Sequence, residues 1–219
     1  MLDILSMSFF QNALMAAALA SVACGVIGSL VVVNRQVFLA GGVAHAAYGG
    51  VGLAFFLGWP VMPCAIGFTA TAALITARVT FEQRERSDSF VGVLWASGMA
   101  LGVILLNLTP GYNVDLMSYL FGSILTVPDY DIWAMLGLDL VLLGIVFYWY
   151  SDFLSLSFDM EFARAGGVPV KGLYSLMLVM VAVAVVMVIQ VVGLILVIAL
   201  LTIPPMLAET KAKSLARMM

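Results

Sequence analysis

The feature that most limits the fold of this chain is a series of apolar runs, about seven of them, each long enough to cross roughly 30 Å of hydrocarbon and nearly free of charge. They run approximately from Phe9 to Val33, Val37 to Leu57, Val61 to Ala77, Phe90 to Leu108, Ile132 to Tyr150, Leu173 to Ile189 and Val191 to Leu207. With 64% of the residues apolar and 10% charged, a water-soluble domain would lack the polar material to cover its surface. Inside lipid each run must bond its own backbone groups, so the predicted fold class is all-α, a polytopic transmembrane helical bundle. A shorter run from Leu116 to Val127 is too brief for an ordinary span and reads as a re-entrant or surface helix.

The basic residues test this count, because Lys and Arg concentrate in cytoplasmic loops. They lie in four places: Arg35 after the first span, Arg78, Arg84 and Arg86 after the third, Arg164 and Lys171 after the fifth, and Lys211, Lys213 and Arg217 after the seventh. All four fall on one side, which places the N-terminus outside and the tail inside. If the Leu116 to Val127 piece crossed fully, Arg164 and Lys171 would change sides, so the charges predict that it does not. Trp59, Trp133 and the run Phe147 to Tyr150 sit near span ends, where an interfacial aromatic belt belongs. The N-terminus, MLDILSMSFF, has no basic residue before the first run and so lacks the positive region of a secretory signal; the first helix is expected to stay. The net charge of −3 is thinly spread and offers no clustered basic face for nucleic acid.

The sole histidine, His45, stands in FLAGGVAHAAYGGVGLAFFLG, residues 38–58, among glycine and alanine. On a helix Gly41, His45, Tyr48 and Gly52 share one face, which a neighbouring helix or a solute can approach closely. An ionisable residue inside a membrane is a functional candidate, and here two readings stand: a ligand on an ion path, or a bond to a neighbouring helix. Asp139, inside the fifth span, carries the same pair of readings. Gly98 and Gly102 in the fourth span form a small-xxx-small pair suited to a close crossing. Asp115 has two readings, a carboxylate that gathers cations from outside or, the favoured one, a cap on the short helix that begins at Leu116. Cys24 and Cys64 lie within spans, have no metal-site spacing, and read as small packing residues.

After Tyr150 comes SDFLSLSFDMEFARAGGVPVKG. Asp159 is expected to cap one short helix through Ala165, with Phe158 and Phe162 four apart on one side and Gly166 and Gly167 ending it. Such a helix suits a groove on a cytoplasmic protein; the alternative is rest on lipid headgroups, against which the acidic pair Asp159 and Glu161 argues. Pro204 and Pro205 are expected to break the last helix and form a hinge near the inner face. A secondary transporter usually carries acids at the membrane midplane and an internal repeat; only Asp139 is found, and no convincing repeat. One histidine cannot supply two axial haem ligands, no nucleophile, base and orienter set marks an enzyme, and no GxxxxGK[ST] loop is present to bind nucleotide.

Several stretches together resemble one family, the membrane permease subunits of ATP-binding-cassette importers for zinc, manganese or iron(II). They are AGGVAHAAYGGVGLAFFLG from Ala40, VGVLWASGMALGVILL from Val91, TPGYNVDLMSYLFGSIL from Thr109, FDMEFARAGGVPV from Phe158 and VVGLILVIALLTIPPMLA from Val191. The resemblance implies one transmembrane permease domain, residues 1–219, in a bacterial cytoplasmic (inner) membrane. It implies a homodimer, two cytoplasmic ATP-binding-cassette ATPase subunits that hold the ATP, an external metal-binding protein, and surrounding membrane lipid. This chain would bind no cofactor of its own and would perform no catalysis; zinc, manganese or iron is the cargo. His45 would meet the metal, Gly41, Tyr48 and Asp139 would line the path, and Phe158, Asp159, Glu161, Phe162 and Ala163 would couple to the ATPase. Three departures stand out. Gly41 occupies a position where the family often has an aspartate, Met160 one where a proline is common, and the chain ends soon after Pro205, where relatives usually continue through at least one more span. The expectation is therefore a permease lacking the family's last span or spans.

Overall fold

The structure, a computed structural model of the chain, describes residues 7–82, 87–109, 122–124 and 127–219. Its helices follow in the order α1 (Ser8–Val33), α2 (Val37–Leu57), α3 (Val61–Glu82), α4 (Ser87–Leu108), α5 (Asp129–Tyr148), α6 (Tyr150–Phe158), α7 (Met160–Ala165), α8 (Val170–Val192), α9 (Leu194–Glu209) and α10 (Leu215–Met218). No strand occurs among the described residues. Helices α1 to α5 and α8 are long and apolar enough to cross a membrane, and α9 is a shorter apolar helix of 16 residues. The bundle is thus a polytopic membrane fold, with six full-length spans and one shorter apolar helix among the described residues. Asp115 and most of the Leu116 to Val127 piece lie outside the described residues.

The connections show why the helices end where they do. After α1, Arg35 adopts a left-handed conformation at φ 56°, its N–H donating to the Val32 carbonyl while that of Gln36 donates to Val31. These two bonds satisfy carbonyls that a helix end leaves open. Asn34 Nδ2 donates to Leu30 O at 2.8 Å and to Ser157 Oγ at 2.9 Å, which ties this turn to α6. Between α8 and α9 stands Gly193 alone, at φ 82° and ψ 168°, a backbone region that residues with a Cβ essentially never enter. The predicted boundary near Gln190 is therefore a single-residue elbow.

Three predicted boundaries are corrected. Helix α3 continues past Ala77 to Glu82 and α4 begins at Ser87 rather than Phe90, so Arg78 is helical and the inner connection is shorter than the predicted spans leave. The span expected to end at Tyr150 closes at Tyr148, and Phe158 is the last residue of α6 rather than part of the short helix that follows. Helix α9 also runs through Pro204 and Pro205 without breaking. Proline removes a donor, and the freed carbonyls need other company. A Cβ on Gly28 of α1 would collide with Leu201 O and lie 2.9 Å from Pro205 Cγ, so the glycine lets α1 close over the carbonyl that Pro205 leaves open. Thr202 Oγ1 donates to Ile198 O at 2.8 Å one turn earlier.

Helix α8 is the hub. It packs on α3, α1, α2 and α9, and its Met177, Leu178, Ala182, Val185 and Val188 are fully buried. Opposite it, α3 buries Thr69, Thr76 and Thr80, whose hydroxyls donate back to the carbonyls of Ala65, Ala72 and Thr76. These back-bonds let α3 place polar side chains in the core without a polar partner on every one. The Thr80 and Tyr174 hydroxyls then join α3 to α8 at 3.1 Å. Helix α2 lies between α3 and α4, and α5 packs on α1.

Candidate functional site

The site is built by the pairing of α2 with α4. Both run in the same direction, and three close approaches set their register. Gly42 faces Val91, Gly98 faces Ala46 and Gly52 faces Gly102, each so close that a Cβ on the glycine would collide with its neighbour. On its other side α2 meets α3 in the same way, with Gly50 against Ala65 and Gly49 against the Phe68 ring. Small residues on both faces bring the backbones together, which is how helices associate in lipid.

Between the Gly42 and Gly49 contacts, His45 comes to lie face to face with Trp95 of α4. The ring centroids are 3.8 Å apart and the planes differ by 10°. Trp95 Nε1 donates to Met99 Sδ at 3.2 Å, one turn further along α4, so the indole plane is itself held. The His45 Nδ1 atom is buried and has no hydrogen-bond partner. His45 and Trp95 are each the ninth residue of their helix and so sit at the same depth, near the middle of the bundle. Trp95 was not among the sequence-predicted site residues. The available signal was its position: Trp59, Trp133 and Trp149 stand at helix ends, where tryptophan belongs in a membrane, and Trp95 alone stands inside a span.

The other predicted residues fall in three places. Tyr48 is buried one turn beyond His45, its carbonyl against Gly102 of α4. Gly41 is buried one turn before it, and a Cβ there would touch only Ile198 Cδ1 of α9, at 3.8 Å. Asp139 is not brought to this cluster: it lies on α5, which packs against α1. It is 3% exposed, and neither carboxyl oxygen has a partner. Among the described residues no group of three or more His, Cys, Asp and Glu could hold a metal ion, so His45 belongs to no such cluster.

On the inner face, Asp159 Oδ1 accepts from the N–H groups of Glu161 and Phe162 at 2.8 and 3.2 Å, capping α7 as expected. Ala163 is buried and anchors the helix, while Phe158 and Phe162 are 87% and 74% exposed. Beside α7 opens a cleft of about 650 Å³, lined by Arg35, Gln36, Asp88, Asp159 and Glu161, with Leu39 and Val91 among its apolar walls. A second cleft of about 460 Å³ opens at the opposite end among Pro60, Pro63, Asp131 and Gln190. Neither is lined by His45.

With this geometry in place, the comparisons with known proteins are specific. The model of the ABC 3 transport family matches residues 6–219. The chain belongs to the ABC 3 transport family. Over its full length it is 47% identical to an uncharacterized membrane protein, slr2045, of Synechocystis sp., covering 78% of that protein. Over 92% of its length it is 34% identical to the manganese transport system membrane protein MntC of Halalkalibacterium halodurans, covering 69% of it. Among solved structures it matches PsaBC from Streptococcus pneumoniae in complex with Fab, with a TM-score of 0.86 and 32% identity, covering 98% of this chain and 77% of that one. This ABC 3 member is accordingly a multi-pass membrane protein and a transporter permease.

Proposed function

We propose that this chain is the membrane subunit of an ATP-driven importer of divalent transition-metal ions, with manganese as its first candidate cargo and zinc and iron(II) as the alternatives. The observation that carries the reading is the family match over residues 6–219, which spans every helix described here. Relatives named for manganese set the order of the metals. In the working assembly two copies would pair within the lipid, ATPase subunits would dock on the inner face, and an external metal-binding protein would deliver the ion.

The chain's own residues supply two things to this cycle. His45 gives a neutral nitrogen ligand at mid-depth, with Gly41 and Tyr48 beside it on the path. With Gly41 where a carboxylate would complete a ligand pair, the ion is held weakly, which suits passage better than storage. Helix α7 gives the drive a handle: capped by Asp159, pinned by Ala163 and joined to α8 by a four-residue turn, it passes a push on Phe158, Phe162 or Glu161 to the hub of the bundle. Asp139 stands on a separate interface and is read as part of the α1 and α5 packing.

The test is uptake of labelled manganese, zinc and iron(II) into vesicles holding this chain with its ATPase. Uptake that needs ATP, and that His45→Ala lowers by about tenfold or more in keeping with the loss of a ligand, is the expected result. Uptake that persists without the ATPase and follows an ion gradient would overturn the reading in favour of a secondary transporter.

A further inference from the structure

We propose that Trp95 is a positioning residue for the metal ligand: its indole face fixes the plane of the His45 ring and favours the ring when a cation is bound to it. The inference rests on the transport reading above. A histidine that ligates a metal nearly always donates its other ring N–H to a carboxylate, a carbonyl or water, and that bond sets the orientation of the ring. In this site Nδ1 is buried and unpartnered, and Gly41, one turn before His45, offers no side chain. The contact that orients the imidazole is the stack on Trp95, 3.8 Å between centroids and 10° from parallel.

The geometry of the stack indicates what it favours. Neutral aromatic pairs gain most from offset or edge-to-face arrangements, because the faces of both rings are negative. A near-parallel pair at short range becomes more favourable when one ring is electron-poor, as imidazole is once it donates to a divalent cation, and indole is the best of the side-chain faces for such a partner. The indole is braced for this work. Its Nε1 is held by Met99 Sδ at 3.2 Å, and the backbones of α2 and α4 are locked on either side by the Gly42, Gly98 and Gly52 contacts. His45 and Trp95 therefore act as one unit, in which the indole orients the ring through its face, a task that a hydrogen-bonding acid usually performs at the ring edge.

The experiment compares the unmodified chain with Trp95→Leu, Trp95→Phe and Met99→Leu, each assembled with the ATPase in vesicles, and reads KM and maximal rate for manganese separately. Trp95→Leu is expected to raise KM about tenfold with the maximal rate nearly unchanged, the size of a cation–π contact at a half-buried site. Trp95→Phe, which keeps a ring face, is expected to recover most of that loss, and Met99→Leu, which frees the indole, to fall between. A fold defect alone would lower the maximal rate and would not be rescued by phenylalanine. A second reading needs no loss of function: with Trp59, Trp133 and Trp149 replaced by phenylalanine, the emission of Trp95 should change saturably with added manganese, and the change should vanish in His45→Ala. An unchanged KM in Trp95→Leu, or Trp95 emission blind to manganese in a protein that transports it, overturns the proposal alone. Absence of ATP-driven uptake of all three metals by the unmodified assembly overturns the transport reading and this proposal with it.

Discussion

Replacing Gly52 by alanine probes the contact that sets α2 against α4. A Cβ at that position would lie 2.7 Å from Gly102 Cα and 3.0 Å from Gly102 C, both main-chain atoms that cannot rotate away. Carbon atoms settle at about 3.5–4.0 Å, so the two helices must part by about 1 Å to admit the methyl group. Overpacking of this kind costs about 1–3 kcal/mol, and with backbone on both sides the upper end applies. For a chain of 219 residues that corresponds to a drop in apparent melting temperature of roughly 6–12 °C. The control is Gly92→Ala on the same helix pair, where an added Cβ meets nothing within 4 Å and the helix propensity of alanine gains about 1 kcal/mol. Thermal melting of both variants in one detergent, followed by far-ultraviolet circular dichroism, makes the comparison. Equal melting temperatures for Gly52→Ala and Gly92→Ala would refute the claim that the helix contact is made through main chain.

Four further outcomes are expected. Gly193→Ala forces a Cβ into a conformation at φ 82° and should cost about 1–3 kcal/mol, read as a lower melting temperature or lost expression. Asp159→Ala should cost about 1 kcal/mol at the start of α7 and weaken retention of the ATPase on copurification, while Asp159→Ser, also a good cap, should restore both. Tyr174→Phe removes one buried hydroxyl contact and should lower stability by about 1 kcal/mol with uptake unchanged, since Thr80 keeps its bond to Thr76. Asp139→Asn should leave metal uptake and KM intact, because the carboxyl lies on the α1 and α5 interface away from His45; lost uptake would return it to the ion path.

The spans were legible because an apolar run of some 20 residues has few alternatives to a helix, and the charges of Arg35, Arg78, Arg164 and Lys171 then fix its direction. The cap of α7 was legible too, since Asp159 and the Gly166–Gly167 pair are local signals. What stayed hidden was pairwise. The glycines of α2 announce close approach on every side, so periodicity alone cannot say that Gly50 meets α3 while Gly52 meets α4. The partnership of His45 with Trp95 follows from that register and from nothing within either helix. The prolines of α9 misled for a related reason: the local rule predicts a break, while in the bundle the helix continues and packs its Leu201 carbonyl against Gly28 of another helix.

Phe158 and Phe162 leave their rings uncovered on the inner face. In the proposed assembly each ring left wet withholds about 1.5–3 kcal/mol that docking would release. In that assembly a copy made in excess of its ATPase would keep an uncovered aromatic spot, the kind of surface by which an orphan subunit is marked. Balanced synthesis of the two subunits would there cover the mark, so a surface proposed to carry force would also match the number of copies to the number of ATPases.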